Sequence, residues 1–120
     1  MTSLDQYRRS VDLATPEDEV LQSVALALTL AGWVWTHHRR SDRALVQGDV
    51  GLPDIIAAHP QTGALVAIEC KAERGVVSEG QARWIHALGV AGVAVSIARP
   101  STLADICAAL IARQAPGSTP

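Results

Sequence analysis

Asp54, Glu69 and Lys71 are the residues of this chain whose types and spacing could do chemistry. Lys71 is its only lysine; the nine other basic positions are arginine. A lysine is a compact, flexible point charge that can hold a water or meet an oxyanion, whereas arginine is a planar fork. A GC-rich genome would also leave few lysines, so spacing carries more weight than uniqueness. Asp54 closes Gly51-Leu52-Pro53-Asp54 and stands fifteen residues before Glu69, which is followed by Cys70 and Lys71. Pro-Asp…Glu-x-Lys offers two carboxylates for one hard divalent cation and a lysine for water or developing negative charge. That is the equipment of metal-dependent phosphodiester cleavage.

The elements around these residues must bring them together. Ala64 to Lys71 is a nearly continuous apolar run ending in charge, which predicts a central strand. Alternate residues of a strand share a face. Glu69 and Lys71 therefore point the same way as Ala67 and Leu65, and Val66, Ile68 and Cys70 point the other way. Small Ala67 leaves room for a ligand. Asp54 to Ala58 predicts a short strand, joined to the next through the turn residues 59–63. If the two strands pair, Asp54 and Glu69 converge on one cation, with the backbone carbonyl of Cys70 as a third protein ligand. Mg²⁺ fits such an oxygen set. An isolated Glu-x-Lys reads as a surface ion pair; the upstream Pro-Asp and the apolar strand favour the site.

Elsewhere, Thr15-Pro16-Glu17 predicts a helix with Thr15 as N-cap, running to about Ala31 and stopped by Gly32. Glu17 falls on the same arc as Leu21, Val24 and Leu28 and is the second-tier candidate acid, ahead of Glu19. Trp33 to His38 alternates like a strand, and residues 39–51 form a polar loop. Ser78 as N-cap and Gln81 three residues on predict a helix to about Val90. Gln81 either reaches back to the Ser78 amide, meets substrate, or both. Val93 to Ala98 predicts a buried strand, and Pro100-Ser101 a helix to about Arg113. The order is αβββαβ plus a C-terminal helix: an α/β fold with a mixed central sheet flanked by helices. Residues 1–14 read as a flexible arm, 15–113 as one domain and 114–120 as a disordered tail. Arg39, Arg40, Arg43 and Arg74 border the proposed site and are candidate phosphate contacts. At most one of His37 and His38 reaches it; His59 and His86 are expected at the surface.

Composition narrows the function classes. A net charge of −2 excludes a broadly basic nucleic-acid coat protein, so binding would need a local patch or a bound cation. Cys70 and Cys107 lie in apolar contexts without metal-like spacing and read as reduced core residues of a cytoplasmic protein. No zinc set, glycine-rich phosphate loop or Gly-x-Ser-x-Gly elbow is present, and no run predicts a membrane span.

These motifs resemble the PD-(D/E)XK nuclease superfamily, and in particular its VRR-NUC type. The resemblance rests on Gly51-Leu52-Pro53-Asp54, Ala67-Ile68-Glu69-Cys70-Lys71 and Gly75-Val76-Val77-Ser78-Glu79-Gly80-Gln81, with Trp84-Ile85-x-x-Leu88, Ala91-Gly92-Val93 and the upstream Gly32-Trp33. It spans roughly residues 15–110. It implies a restriction-endonuclease-like core and dependence on Mg²⁺ or Mn²⁺. Asp54 and Glu69 are then metal ligands, Lys71 the catalytic lysine and Gln81 an auxiliary residue, with Glu17 matching the first-helix acid. Stand-alone members are small, often carried by phages, and resemble Holliday-junction resolvases that act as dimers. The expectation is a DNA endonuclease acting on branched substrates in replication or recombination. The alternatives are a nicking, restriction-type or RNA nuclease and a catalytically silent binding or dimerisation module. A homodimer would form partly through the first helix, whose Leu26 and Leu30 lie opposite its main apolar arc.

Overall fold

The computed structural model describes residues 2–38 and 47–117. In chain order the elements are α1 (Ser3–Ala14), α2 (Glu17–Leu30), β1 (Val34–His37), β2 (Ile55–Ala58), β3 (Leu65–Cys70), α3 (Glu79–Val90), β4 (Ala94–Ala98) and α4 (Leu103–Ile111). The strands form one sheet in the order β1-β2-β3-β4. β1 with β2 and β2 with β3 are antiparallel hairpin pairs, and β4 joins β3 in parallel after the α3 crossover. This is the mixed α/β sheet expected from the sequence, with β3 in the interior. Among the described residues no helix is long and apolar enough to cross a membrane.

The core lies on one face of the sheet. Val20, Val24, Ala27 and Leu28 of α2 and Ile106 and Leu110 of α4 pack on Ile55, Ala57, Val66, Ile68, Cys70 and Ala98. The alternation along β3 explains this: Val66, Ile68 and Cys70 feed the core, so Ala67 and Glu69 must face the other way. Trp33 stitches the helical layer, its indole N–H donating to the Leu110 carbonyl at 2.8 Å. His59 is buried beside it, edge-on at a ring separation of 5.2 Å. That corrects the expected surface position. His59 Nδ1 accepts from the Gln61 amide, so Nε2 carries the proton and donates to the Ala31 carbonyl at 2.9 Å. The turn after β2 is thereby fastened to the end of α2.

Three other expectations are corrected. Residues 3–14 form helix α1, not an arm without structure. Thr2 and Asp5 make a reciprocal capping box, and Leu4, Tyr7 and Val11 recur at helical spacing within the polar stretch. Thr15 does not cap α2; it ends α1, its hydroxyl donating to the Val11 carbonyl, and Pro16 takes the N-cap position with no side-chain bond. Residues 114–117 follow α4 as a turn, with Ala115 packed against the core and Gln114 N–H on the Ala109 carbonyl. The rest of the expected tail, residues 118–120, lies outside the described residues.

The segment leading into Asp54 is set by a backbone-to-backbone contact. Gly51 has φ +106, and a side chain there would run into the Gly80 carbonyl group and the Gln81 amide. A Cβ on Gly80 would in turn stand 2.8 Å from the Val50 carbonyl oxygen. Two glycines therefore let residues 50–51 lie flush on the first turn of α3. Gly51→Ala is expected to destabilise by about 2 kcal/mol or more, since it combines a left-handed backbone with a clash against main chain. Urea unfolding measures this; an unchanged midpoint would refute the contact.

Candidate active site

Glu69 lies on the face of β3 opposite the core and is 1% exposed. The β2–β3 register pairs Ile55 with Ile68. Carried one residue further, it sets Asp54 opposite Glu69, and opposite residues of an antiparallel pair share a face. Asp54 is held there by the Cys70 amide, which donates to its Oδ2 at 2.8 Å. The His38 amide donates to the Asp54 carbonyl, and the His38 ring bonds the Leu52 carbonyl. Of the two adjacent histidines, His38 is the one that touches the Asp54 segment.

Gln81 joins the site to the start of α3. Its Oε1 accepts from the Ser78 amide at 2.9 Å while its Nε2 donates to Glu69 Oε2 at 3.0 Å. Of the roles expected for this residue the cap is present, the amide oxygen completing the capping box; the amide nitrogen has a further one that the sequence did not suggest, orienting the buried carboxylate. The other Glu69 oxygen, Oε1, is buried and has no hydrogen-bond partner among the described residues.

Electrostatics mark the same atom. Burial, then the charge of Asp54, push Glu69 up to about 8; Lys71 opposes this, while the charge of Glu17 adds to it. Glu17, exposed at the first residue of α2, is therefore close enough to act on Glu69, and Glu19 is not among the groups that do. Cys70 is pushed up to about 12, chiefly by burial and then by Asp54, Glu69 and Glu17. Its thiol stays protonated in the core, which leaves only its main chain for ligation. Among the described residues no ready-made cage of three or more His, Cys, Asp or Glu side chains exists. A cation here would take two carboxylates and complete its shell with main-chain oxygen and water, as Mg²⁺ does. The Glu69 oxygen left without a partner among the described residues, in the field of Asp54 and Glu17, fits such an ion.

Lys71 leaves β3 on the same side as Glu69, its amide donating to the Ala98 carbonyl at 2.9 Å. Its stem crosses Gly75, where an added Cβ would sit 3.3 Å from Lys71 Cδ. Arg74 is exposed at a cleft of about 420 Å³ shared with Asp5, Arg8, Arg9 and Asp12 of α1. The expected phosphate contacts Arg39, Arg40 and Arg43 lie outside the described residues. Sequence reasoning missed Gly51, Gly75, Gly80 and Arg99 as parts of the site's framework. The glycines stood inside the quoted motifs, but their roles depend on which segments touch, and no motif spacing singles out Arg99.

A family model described as VRR-NUC domain matches residues 16–101. A solved structure titled "VRR_NUC domain" is similar in fold over 78% of this chain and 95% of that chain, with a TM-score of 0.61 at 19% identity. No curated protein matches the chain.

The Glu69 environment predicts a pH signature. Its folded value lies above its ordinary 4.5, so folding takes up a proton between that pH and about 8. The stability this provides is present at low pH and is lost as pH rises toward 8. In metal-free buffer, Glu69→Gln should flatten the fall in melting temperature between pH 5 and 8 and melt higher than the parent at pH 8. Identical slopes for the two proteins would refute the buried, uncompensated carboxylate.

Proposed function

The chain belongs to the VRR-NUC domain family, and from that premise we propose that it is a metal-dependent endonuclease hydrolysing DNA phosphodiester bonds. The observation that carries this reading is the buried Oε1 of Glu69, unpartnered among the described residues and in the field of Asp54 and Glu17, with Lys71 on the same side of the sheet. An uncompensated buried charge is costly unless paired or ligated. Asp54, Glu69 and the Cys70 main chain would hold Mg²⁺ or Mn²⁺, with Glu17 adding charge at the rim. Such an ion, when bound, supplies a Lewis acid for the phosphoryl group and a more acidic bound water.

The chain's own residues have distinct parts. Gln81 holds one oxygen of Glu69 and so leaves the other free. The Cys70 amide fixes one oxygen of Asp54 and leaves its neighbour available. Lys71 places its ammonium beside the carboxylates, where it orients the attacking water and offsets charge building on the phosphate. Arg74, with Arg39, Arg40 and Arg43, contacts backbone phosphates. With a net charge of −2, the chain depends on these arginines and the cation to attract DNA.

Branched DNA of replication or recombination is the substrate class of this reading, cut by a homodimer. Symmetric cutting of two strands needs two centres, and two-fold symmetry supplies them. Leu26 and Leu30, 59% and 73% exposed on the outer side of α2, form the apolar stripe for that contact.

Asp54→Asn and Glu69→Gln should each abolish cleavage and weaken Mg²⁺ binding by calorimetry while the fold persists. Lys71→Ala should lose at least about 100-fold in rate, the scale of removing a positioned charge-stabilising group, yet bind metal as before. Lys71→Arg should not restore it. Wild-type rates in both carboxylate variants would sink the metal-site reading.

Labelled duplex, flap, single-strand, four-way-junction and RNA substrates, with and without Mg²⁺ or Mn²⁺, test the substrate class. Light scattering tests assembly, and Leu26→Ser with Leu30→Ser should yield monomers. A strict monomer at tens of micromolar, indifferent to junctions, would leave nicking or flap cleavage as the better reading. No cleavage of any substrate would leave a silent binding module.

A further inference from the structure

Arg99 stands immediately after β4 and is spent on main chain. Its Nη1 donates to the carbonyls of Ala72, Glu73 and Gly75 at 2.9, 3.1 and 2.8 Å. Three carbonyl dipoles converging on one nitrogen repel one another unless a cation lies between them. The segment they belong to is the tight turn directly after Lys71, closed by the Gly75 amide on the Ala72 carbonyl at 3.0 Å. A second tether runs the same way: the Ser101 amide donates to Glu73 Oε1 at 3.0 Å. The turn is thus wrapped around the guanidinium of a residue 28 positions downstream of Lys71. Its closing residue is the one the Lys71 stem lies on. Gly75 approaches so near that a single methyl added to it would press on Lys71 Cδ.

We propose that Arg99 is a positioning residue for Lys71: it shapes the 72–75 turn whose Gly75 forms the floor under the lysine stem, and so sets where the ammonium stands relative to Asp54 and Glu69. The consequence for cleavage rests on the proposed role of Lys71; the geometric part does not. Arg99 acts through main chain rather than on substrate. Its loss should lower kcat with little change in KM, and metal binding by Asp54 and Glu69, which are held by the Cys70 amide and Gln81, should persist.

The composition supplies a direct readout. Because Lys71 is the only lysine, lysine-selective ¹³C,¹⁵N labelling gives one side-chain spin system. Arg99→Ala and the milder Arg99→Gln should both shift and broaden the Lys71 Cε and Nζ signals. Gly75→Ala, which keeps the guanidinium but presses on both the Ala72 carbonyl and the Lys71 stem, should shift them from the turn side. In cleavage assays Arg99→Ala should lose at least tenfold in kcat, with Mg²⁺ affinity within about twofold of the parent. If Arg99→Ala does not fold, Arg99→Gln decides. A folded Arg99 variant whose lysine signals coincide with the parent's overturns the proposal, whether or not its activity falls. Shifted signals in a family of proteins that cut nothing would leave the positioning intact and remove the catalytic role of Lys71 instead.

Discussion

Taking the carboxylate of Glu69 out of water costs several kcal/mol unless its oxygens are paired or ligated. Much of the surrounding structure can be read as managing that cost without abolishing it. One oxygen receives the Gln81 amide; the other receives nothing from the described protein. Neighbouring Asp54 and Glu17 make the charged form still less favourable, and Lys71 only partly offsets them. A site built purely for stability would place an arginine or an apolar residue here. Retaining an acid with an oxygen unpartnered among the described residues keeps an unfavourable interaction, one that the cation of the proposed function would relieve.

That arrangement needs accurate placement, and three kinds of constraint supply it. Strand register sets Asp54 across from Glu69 and the Cys70 amide against Asp54. The capping box of α3 fixes the Gln81 side chain by its oxygen, so that its nitrogen has one direction left to donate. The Gly51–Gly80 contact then sets the distance between the Asp54 segment and that helix turn. Each constraint is made with main chain, which is stiffer than a network of surface side chains. Exposed ion pairs would contribute little here: Arg83 with Asp49, on the outer side of α3, is well solvated on both partners.

The sequence made the elements legible where they carried apolar period or capping chemistry. The alternation of β3, the Ser78–Gln81 cap and the apolar arc of α2 each predicted the observed element to within two residues. The convergence of Asp54 and Glu69 followed from assuming that consecutive strands pair. α1 escaped because it is polar on average and buries no residue; its signals were the Thr2–Asp5 box and the helical spacing of Leu4, Tyr7 and Val11. His59 escaped because burial of a histidine depends on partners distant in sequence, the Ala31 carbonyl and the Trp33 ring. The Arg99 clamp is illegible for the same reason: it joins the end of β4 to the turn after β3, and only the parallel pairing of those strands makes them neighbours.

The two faces of the sheet divide the work. Val66, Ile68 and Cys70 enter an apolar core closed by α2 and α4, where burial favours folding. One residue out of phase, Ala67 and Glu69 are also buried, but on the other face, where the buried carboxylate opposes folding. A strand with period two is suited to this, because stability and chemistry occupy alternate positions of the same six residues. The core can then be well packed while Glu69 remains poorly satisfied, and the backbone holding the acid is as rigid as the core beneath it. An acid on a loop could relax by movement; on the interior strand, paired on both edges, it is held where it stands.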